Sequence, residues 1–260
     1  MNINNIVPLF VIIPLAAGFL IALFGKYLRR FAEAVCLVAF LANISMAVFS
    51  YFLLTSQAYS GILVYKIGGW QPPFGISLVL DGLSNFMLVT INLIAVLVAV
   101  YSYSYMNKYT DRPKFYALFS VMVAGMNGVV ITGDLFNLFV CLEIASISSY
   151  ALVAFGTEAE ELEASFKYAV MGAVASAFIF IGIAFLYGFS STLNMADMAR
   201  ILHQKQNFGV VPFVTVLFLM GFGLKAALVP FHGWLPDAHS SAPASISAML
   251  TGVLIKALGI

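Results

Sequence analysis

Apolar stretches of about 20 residues recur along the whole chain, at roughly 6–24, 31–54, 82–105, 114–132, 135–155, 165–189, 208–230 and 243–260, and that length is what a helix needs to cross a bilayer. Inside lipid the backbone finds no water, so each segment has to satisfy its own amides and carbonyls, which an α-helix does. These runs therefore predict an all-α polytopic membrane protein with about eight spans and lipid as its surroundings. Composition agrees: 62% of residues are hydrophobic, 9% are charged and the mean hydropathy is +1.02, against about 25% charged in an ordinary soluble domain. With a net charge of +1 and scattered basic residues, no nucleic-acid partner is implied. Cys36 and Cys141 both fall within spans, which offers neither a disulfide framework nor an iron–sulfur ligand set.

The first run reads as a retained helix. Its basic residues, Lys26, Arg29 and Arg30, follow the apolar core, whereas a secretory signal carries its charge in front. Lys26, Arg29, Arg30, Lys108, Arg112, Lys114 and Lys167 lie in the loops after spans one, three and five, against Lys66, Arg200 and Lys205 on the other side. The positive-inside rule then predicts a cell-membrane protein with its N-terminus outside. Two outer segments stand out. The stretch 59–80, with Gly68-Gly69-Trp70 and Pro72-Pro73, reads as turns around a short hairpin. Thr192–Asn207 reads as a short amphipathic helix, capped by Thr192 or Asn194, with Leu193, Met195, Met198 and Leu202 on its apolar side. The chain stops within its eighth span, which predicts either a split subunit completed by another polypeptide or a piece of a longer design.

Three charges interrupt the apolar runs: Glu143, Lys225 and Lys256. A charge at bilayer depth costs several kcal/mol on most scales, so it needs a partner, a wet cavity or a function. For Glu143 the competing explanation is a protonated carboxyl bonded to Ser146 or Ser148 for packing. For Lys256 it is a side chain snorkelling to the outer face. Asp134, after Thr132-Gly133, reads as a helix N-cap. Pro230 removes a backbone bond to the Ala226 carbonyl, and Pro236 follows six residues later, so the seventh span is predicted to break beside Lys225. His232 and His239 flank this break with Asp237 between them. Neutral histidines relaying protons and hydrogen-bonded loop histidines both fit, whereas the spacing matches no metal-ligand set. Gly221-x-Gly223 lacks the third glycine of a nucleotide fingerprint, and the stripe Gly172, Ala173, Ala175, Ser176, Ala177 reads as helix packing.

Several segments resemble a known family. They are Gly68-Gly69-Trp70-x-Pro-Pro-Phe-Gly-Ile, Leu80-Asp81-Gly82-Leu83-Ser84, Thr132-Gly133-Asp134-Leu135-Phe136-Asn137-Leu138-Phe139-Val140 running into Glu143, and His232-x-Trp234-Leu235-Pro236-Asp237-Ala238-His239-x-x-Ala242-Pro243 between Lys225 and Lys256. Together they resemble the proton-translocating antiporter-like subunits of respiratory complex I, membrane-bound hydrogenases and Mrp-type cation/proton antiporters. Ser191-Thr192-Leu193-Asn194-Met195-Ala196-Asp197 is most similar to the branch that holds the Mrp antiporter and hydrogenase members.

The resemblance spans essentially the whole chain, and its implications are specific. Glu143 of the fifth helix pairs with Lys225 of a broken seventh, Lys256 continues a polar axis, and His232 and His239 lie near the break. Residues 1–110 form three leading helices with an outer-face loop at about 55–80. Residues 111–260 form a five-helix repeat, one of two related by inversion, and the other comes from a partner membrane subunit. Peripheral redox subunits are further partners, and neither cofactor nor catalytic centre is expected in this chain. The expected function is a proton-conducting half-channel of a redox-driven or Mrp-type complex, in which protons enter near His239, reach Lys225 and leave towards Lys256. At about 4 Å and an effective dielectric near 20, the attraction of Glu143 for Lys225 is about 4 kcal/mol. A stand-alone secondary transporter and a structural anchor for a redox complex are the rival readings.

Overall fold

The computed structural model describes residues 3–27, 30–56, 61–109, 111–205 and 209–259. Arg29, residues 59–60 of the hairpin segment, 206–207 of the amphipathic segment, residue 208 and Ile260 lie outside them. Among the described residues, six helical stretches are long and apolar enough to cross a membrane: Asn4–Phe24, in which a short 3₁₀ turn leads into α1 (Leu9–Phe24), then α2 (Phe31–Thr55), α3 (Gly82–Tyr105), α4 (Arg112–Ile131), α5 (Leu135–Val153) and α6 (Ala159–Ser190). Two further apolar helices are shorter. Helix α8 covers Val210–Lys225, and the last runs as α10 (Ala244–Met249), a π-helical turn (Leu250–Leu254) and α11 (Ile255–Gly259). At 1.5 Å per residue α8 spans about 24 Å, short of a hydrocarbon core of about 30 Å. The chain is therefore a helical membrane protein whose seventh apolar segment is interrupted.

Helix α4 forms the centre of the bundle. It is 67% buried, against 28–44% for the other five long helices, and α1, α2, α3 and α5 all pack on it. The contact with α1 is polar at one point, for a reason written in the sequence. Pro14 has no N–H to give to the Phe10 carbonyl one turn earlier. Asn43 of α2 and Asn127 of α4 donate to that oxygen instead, at 3.2 and 2.9 Å. Asn127 also accepts from Asn92 of α3 at 3.1 Å. All three asparagines are buried, and they tie four helices to one freed carbonyl.

Helix α6 is longer than its apolar pattern predicts. The apolar runs 135–155 and 165–189 leave Glu158, Glu160, Glu161 and Glu163 in the loop between them. The helix starts at Ala159, with Glu158 at its N-cap and Glu161 accepting from the Glu158 amide at 3.3 Å. Carboxylates there meet the positive end of the helix dipole, so polar residues extend the helix beyond the lipid-sized run.

One end of the bundle carries the expected hairpin, with β1 (Leu63–Lys66) antiparallel to β2 (Ser77–Leu80) and Leu63 opposite Leu80. It forms a knot with two distant segments. The Gly133 amide donates to Ser77 O at 2.9 Å, the Leu135 amide to Leu193 O at 2.9 Å, and the Met195 amide to Gly133 O at 3.0 Å. Asp134 accepts from the Asn137 amide at 2.9 Å, as an N-cap should. Asn194 caps the amphipathic helix α7 (Met195–Lys205), accepting from Asp197 at 3.1 Å, and its amide reaches Ser77 Oγ at 2.8 Å. Asn194→Ala removes a cap and a buried cross-link together. It is expected to cost about 2 kcal/mol, readable as a lower midpoint of thermal unfolding in detergent.

Candidate functional site

Helices α5, α6 and α8 meet around a buried ion pair. On α5, Glu143 and Ser146 are three residues apart and share a face. Lys225 is the last residue of α8, where a cation meets the negative end of the helix dipole. Its Nζ lies 3.1 Å from Glu143 Oε1 and 2.9 Å from Ser146 Oγ, and its side chain is 3% exposed. Glu143 is 28% exposed, so the pair opens towards its carboxylate. Ser176 of α6 completes the group, with Oγ 2.5 Å from Glu143 Oε1 and 2.9 Å from Gly172 O.

Ser146 was expected as a partner of Glu143 and instead binds the ammonium, while the Ser176 hydroxyl was hidden within a stripe of small residues. Gly172 in that stripe is required by a close approach. A Cβ there would lie 1.8 Å from the Tyr150 hydroxyl. Gly172→Ala is expected to destabilise the chain by about 2 kcal/mol through overpacking. Tyr150→Phe in the same chain should restore part of the lost thermal stability.

The break differs in origin from the one the prolines predict. Helix α8 ends five residues before Pro230. Ala227 is left-handed, with φ 52°, the Ala227 amide returns to Leu224 O at 3.2 Å, and the Leu228 amide returns to Gly223 O at 2.9 Å. This is a Schellman C-cap in which alanine holds the place glycine usually takes, so the sequence carries no glycine to announce it. Pro230 lies in the turns that follow. Pro236 sits in the first turn of α9 (Leu235–Ser241), where its missing N–H is no loss, so it starts a helix where an interruption was expected.

A second polar string lies beyond the break. His239 of α9 places Nδ1 2.9 Å from Ser247 Oγ, and Thr251 Oγ1 lies 3.2 Å from the same ring. Lys256 donates to the Thr251 carbonyl. The π turn shifts the ladder, so that the Ile255 amide bonds Leu250 O. Such turns frequently mark functional positions. His239 lies outside the apolar spans; burial and, after it, the Lys256 charge hold its pKa below the ordinary histidine value, which favours the neutral ring. The structure thus joins His239 to Lys256 through Thr251, a residue the sequence did not single out. His232 is exposed, and among the described residues no hydrogen bond or ion pair reaches its ring. Asp237 turns to Lys167, which sits 2.8 Å from both Asp237 and Glu163 and ties α6 to α9. His232, Asp237 and His239 therefore share no common point. Among the described residues, no three His, Cys, Asp or Glu side chains are grouped to hold a metal.

The site is thus a buried acid–base pair inside a helical membrane bundle, with an interrupted helix beside the pair. Comparison with known proteins gives the family. Residues 132–260 match the family described as NADH:quinone oxidoreductase/Mrp antiporter, TM, and residues 67–116 match the N-terminal family of complex I chain 5. A Na(+)/H(+) antiporter subunit of Alkalihalophilus pseudofirmus is 34% identical over 255 residues, which is 97% of this chain and 50% of that protein. An NADH-quinone oxidoreductase subunit of Desulforudis audaxviator is 39% identical over 96% of this chain and 49% of its own length. A chain of the membrane-bound sulfane sulfur reductase, an archaeal respiratory membrane complex, superposes with a TM-score of 0.90 at 30% identity, covering 97% of this chain and 51% of that one. The chain belongs to the antiporter-like membrane subunits shared by Mrp antiporters and complex I-like complexes. It spans about half the length of the curated relatives it matches.

Proposed function

We propose that this chain conducts protons as part of a membrane subunit in a multisubunit ion-pumping complex. The observation that carries the reading is the Lys225–Glu143 contact at 3.1 Å, made by an ammonium that is 3% exposed. Two opposite charges withdrawn from water are retained at considerable desolvation cost. A packing role is met more cheaply by apolar side chains of similar volume. In this scheme Lys225 holds its proton while Glu143 faces it and yields it when the pair separates. The next carrier is Lys256, held by the carbonyl of Thr251, the residue whose hydroxyl contacts His239. The carboxylate is the more open partner, so separation begins with Glu143, whose oxygen Ser176 is placed to hold.

Residues 111–260 act as one half-channel in this reading, with the N-terminus outside the cell membrane and the loop after α5 inside. The Lys256 side chain is exposed beside an apolar helix, which supports a protein neighbour covering it, such as a membrane subunit or segment bearing the second repeat. The relatives include a Na(+)/H(+) antiporter subunit and a quinone oxidoreductase subunit, so cation exchange and redox chemistry are the two candidate drivers, both housed in other chains. The test is proton uptake into membrane vesicles carrying the whole complex. Lys225→Met is expected to abolish uptake while the subunits still co-purify. Uptake at the wild-type rate in that variant would sink the scheme.

A further inference from the structure

The break beside Lys225 is held by an aromatic pair that the proton scheme does not use. Trp234, the last residue of the break, is 3% exposed, and its indole Nε1 donates to Leu224 O at 3.0 Å. That carbonyl already accepts from the Ala227 amide, so the indole fills its second lone pair. The indole also lies flat on Tyr168 of α6, with ring centroids 4.2 Å apart and planes 5° from parallel. Tyr150 of α5 meets the edge of Tyr168 at 4.5 Å.

The Tyr168 hydroxyl leads back to the ion pair. Ser149 Oγ lies 2.7 Å from Ser146 O and 3.1 Å from the Tyr168 oxygen. A serine has one hydroxyl proton, and a carbonyl can only accept. Ser149 therefore donates to Ser146 O, and Tyr168 donates to Ser149. Ser146 in turn accepts from Lys225 through its own hydroxyl. The contacts close a ring, from Lys225 to Ser146, Ser149, Tyr168, Trp234 and Leu224, and so to the residue preceding Lys225. The backbone side of Lys225 and its ammonium are thus tied to the same stacked pair.

We propose that the Trp234–Tyr168 stack is a clamp that sets where the Lys225 ammonium sits relative to Glu143, which makes both aromatics positioning residues for proton transfer. The inference rests on the reading of that pair as the proton carrier. Two buried rings serving packing alone would be indifferent to the charge on Glu143. A clamp wired through Ser146 responds to it, because losing the carboxylate moves the ammonium that Ser146 holds.

The chain contains its own reporter. Tryptophan occurs at positions 70 and 234 alone, and Trp70 is a 69% exposed residue of the hairpin loop. Trp70→Phe leaves Trp234 as the single fluorophore in the full chain, purified into lipid nanodiscs. Adding Glu143→Gln is expected to change the Trp234 emission maximum and lifetime, and an unchanged spectrum overturns the clamp. Hydrogen exchange gives the second measurement. Trp234→Phe keeps a ring to stack but removes the indole donor, and amides 224–228 are expected to exchange about tenfold faster, as befits a buried carbonyl losing a partner. If that variant does not fold, Tyr168→Phe removes the hydroxyl alone and is expected to speed the same amides; wild-type exchange there overturns the proposal. Fluorescence that responds to Glu143→Gln while vesicle uptake stays intact would refute the proton scheme and with it the clamp's part in transfer, whereas unchanged fluorescence with lost uptake would refute the clamp alone.

Discussion

Glu143→Ala is expected to abolish coupled proton uptake and to destabilise the chain by about 3–5 kcal/mol, the usual cost of leaving one member of a buried pair without its partner. Lys225 is the member left behind. Its side chain is 3% exposed, and among the described residues Ser146 is the acceptor that remains to it, so the ammonium has to shed its proton or drag water inwards. Glu143→Gln is the milder test, because its amide oxygen still accepts from Lys225 while the charge is gone. Lys225→Met combined with Glu143→Gln removes both charges, and most of the lost stability should return because the double variant buries no unpaired ion. Transport should stay at background in all of these variants. Chemical unfolding in detergent and vesicle uptake read the two effects separately. Uptake that recovers together with stability in the double variant would show that the charges serve folding and carry no protons.

Asn127→Leu is the other substitution with a large expected effect, about 3 kcal/mol or more, because it strips two buried partners at once. Asn92 loses its acceptor at 3.1 Å, and the Phe10 carbonyl loses its 2.9 Å donor. The carbonyl cannot fall back on its own helix, since Pro14 stands where the amide should be. Among the described residues Asn43 then remains as its side-chain donor, at 3.2 Å. The prediction has a compensating arm. Pro14→Ala restores the intrahelical bond and should reduce the penalty of Asn127→Leu, whereas additive losses in the double variant would mean that the cluster does not serve the proline-freed oxygen.

Legibility of the site varied residue by residue, for physical reasons. Glu143 and Lys225 were visible because a charge within a lipid-length apolar run has few explanations. Of their serines, Ser146 was named beside Glu143 but binds the ammonium, and Ser176 stayed hidden: a hydroxyl within an apolar helix normally bonds its own backbone, and Ser176 does also contact the Gly172 carbonyl. Asp134 and Asn194 were readable as caps, because capping is local and depends on residues two or three positions ahead. The same local reasoning placed a break beside Lys225, where α8 does end, but assigned it to the prolines. A left-handed residue is normally sought at glycine, and here it is Ala227, held by the two returning amides. His239 was picked out as a relay candidate, yet its tie to Thr251 could not be read, because it needs a π turn that shifts the last helix's ladder.

Alone, the sequence determined the solvent. A chain that is 62% hydrophobic with repeated bilayer-length runs leaves lipid-embedded helices as the workable fold, since the backbone must bond within each segment. It also determined which charges lipid would not tolerate unpartnered, because that penalty belongs to the residue type and its depth. Which partners those charges found was decided by tertiary structure. Residues 143, 176 and 225 come from three helices, and their meeting depends on how closely α6 approaches α5 at Gly172 and where α8 stops. Both are packing events between segments far apart in the chain, and local pattern holds no record of them.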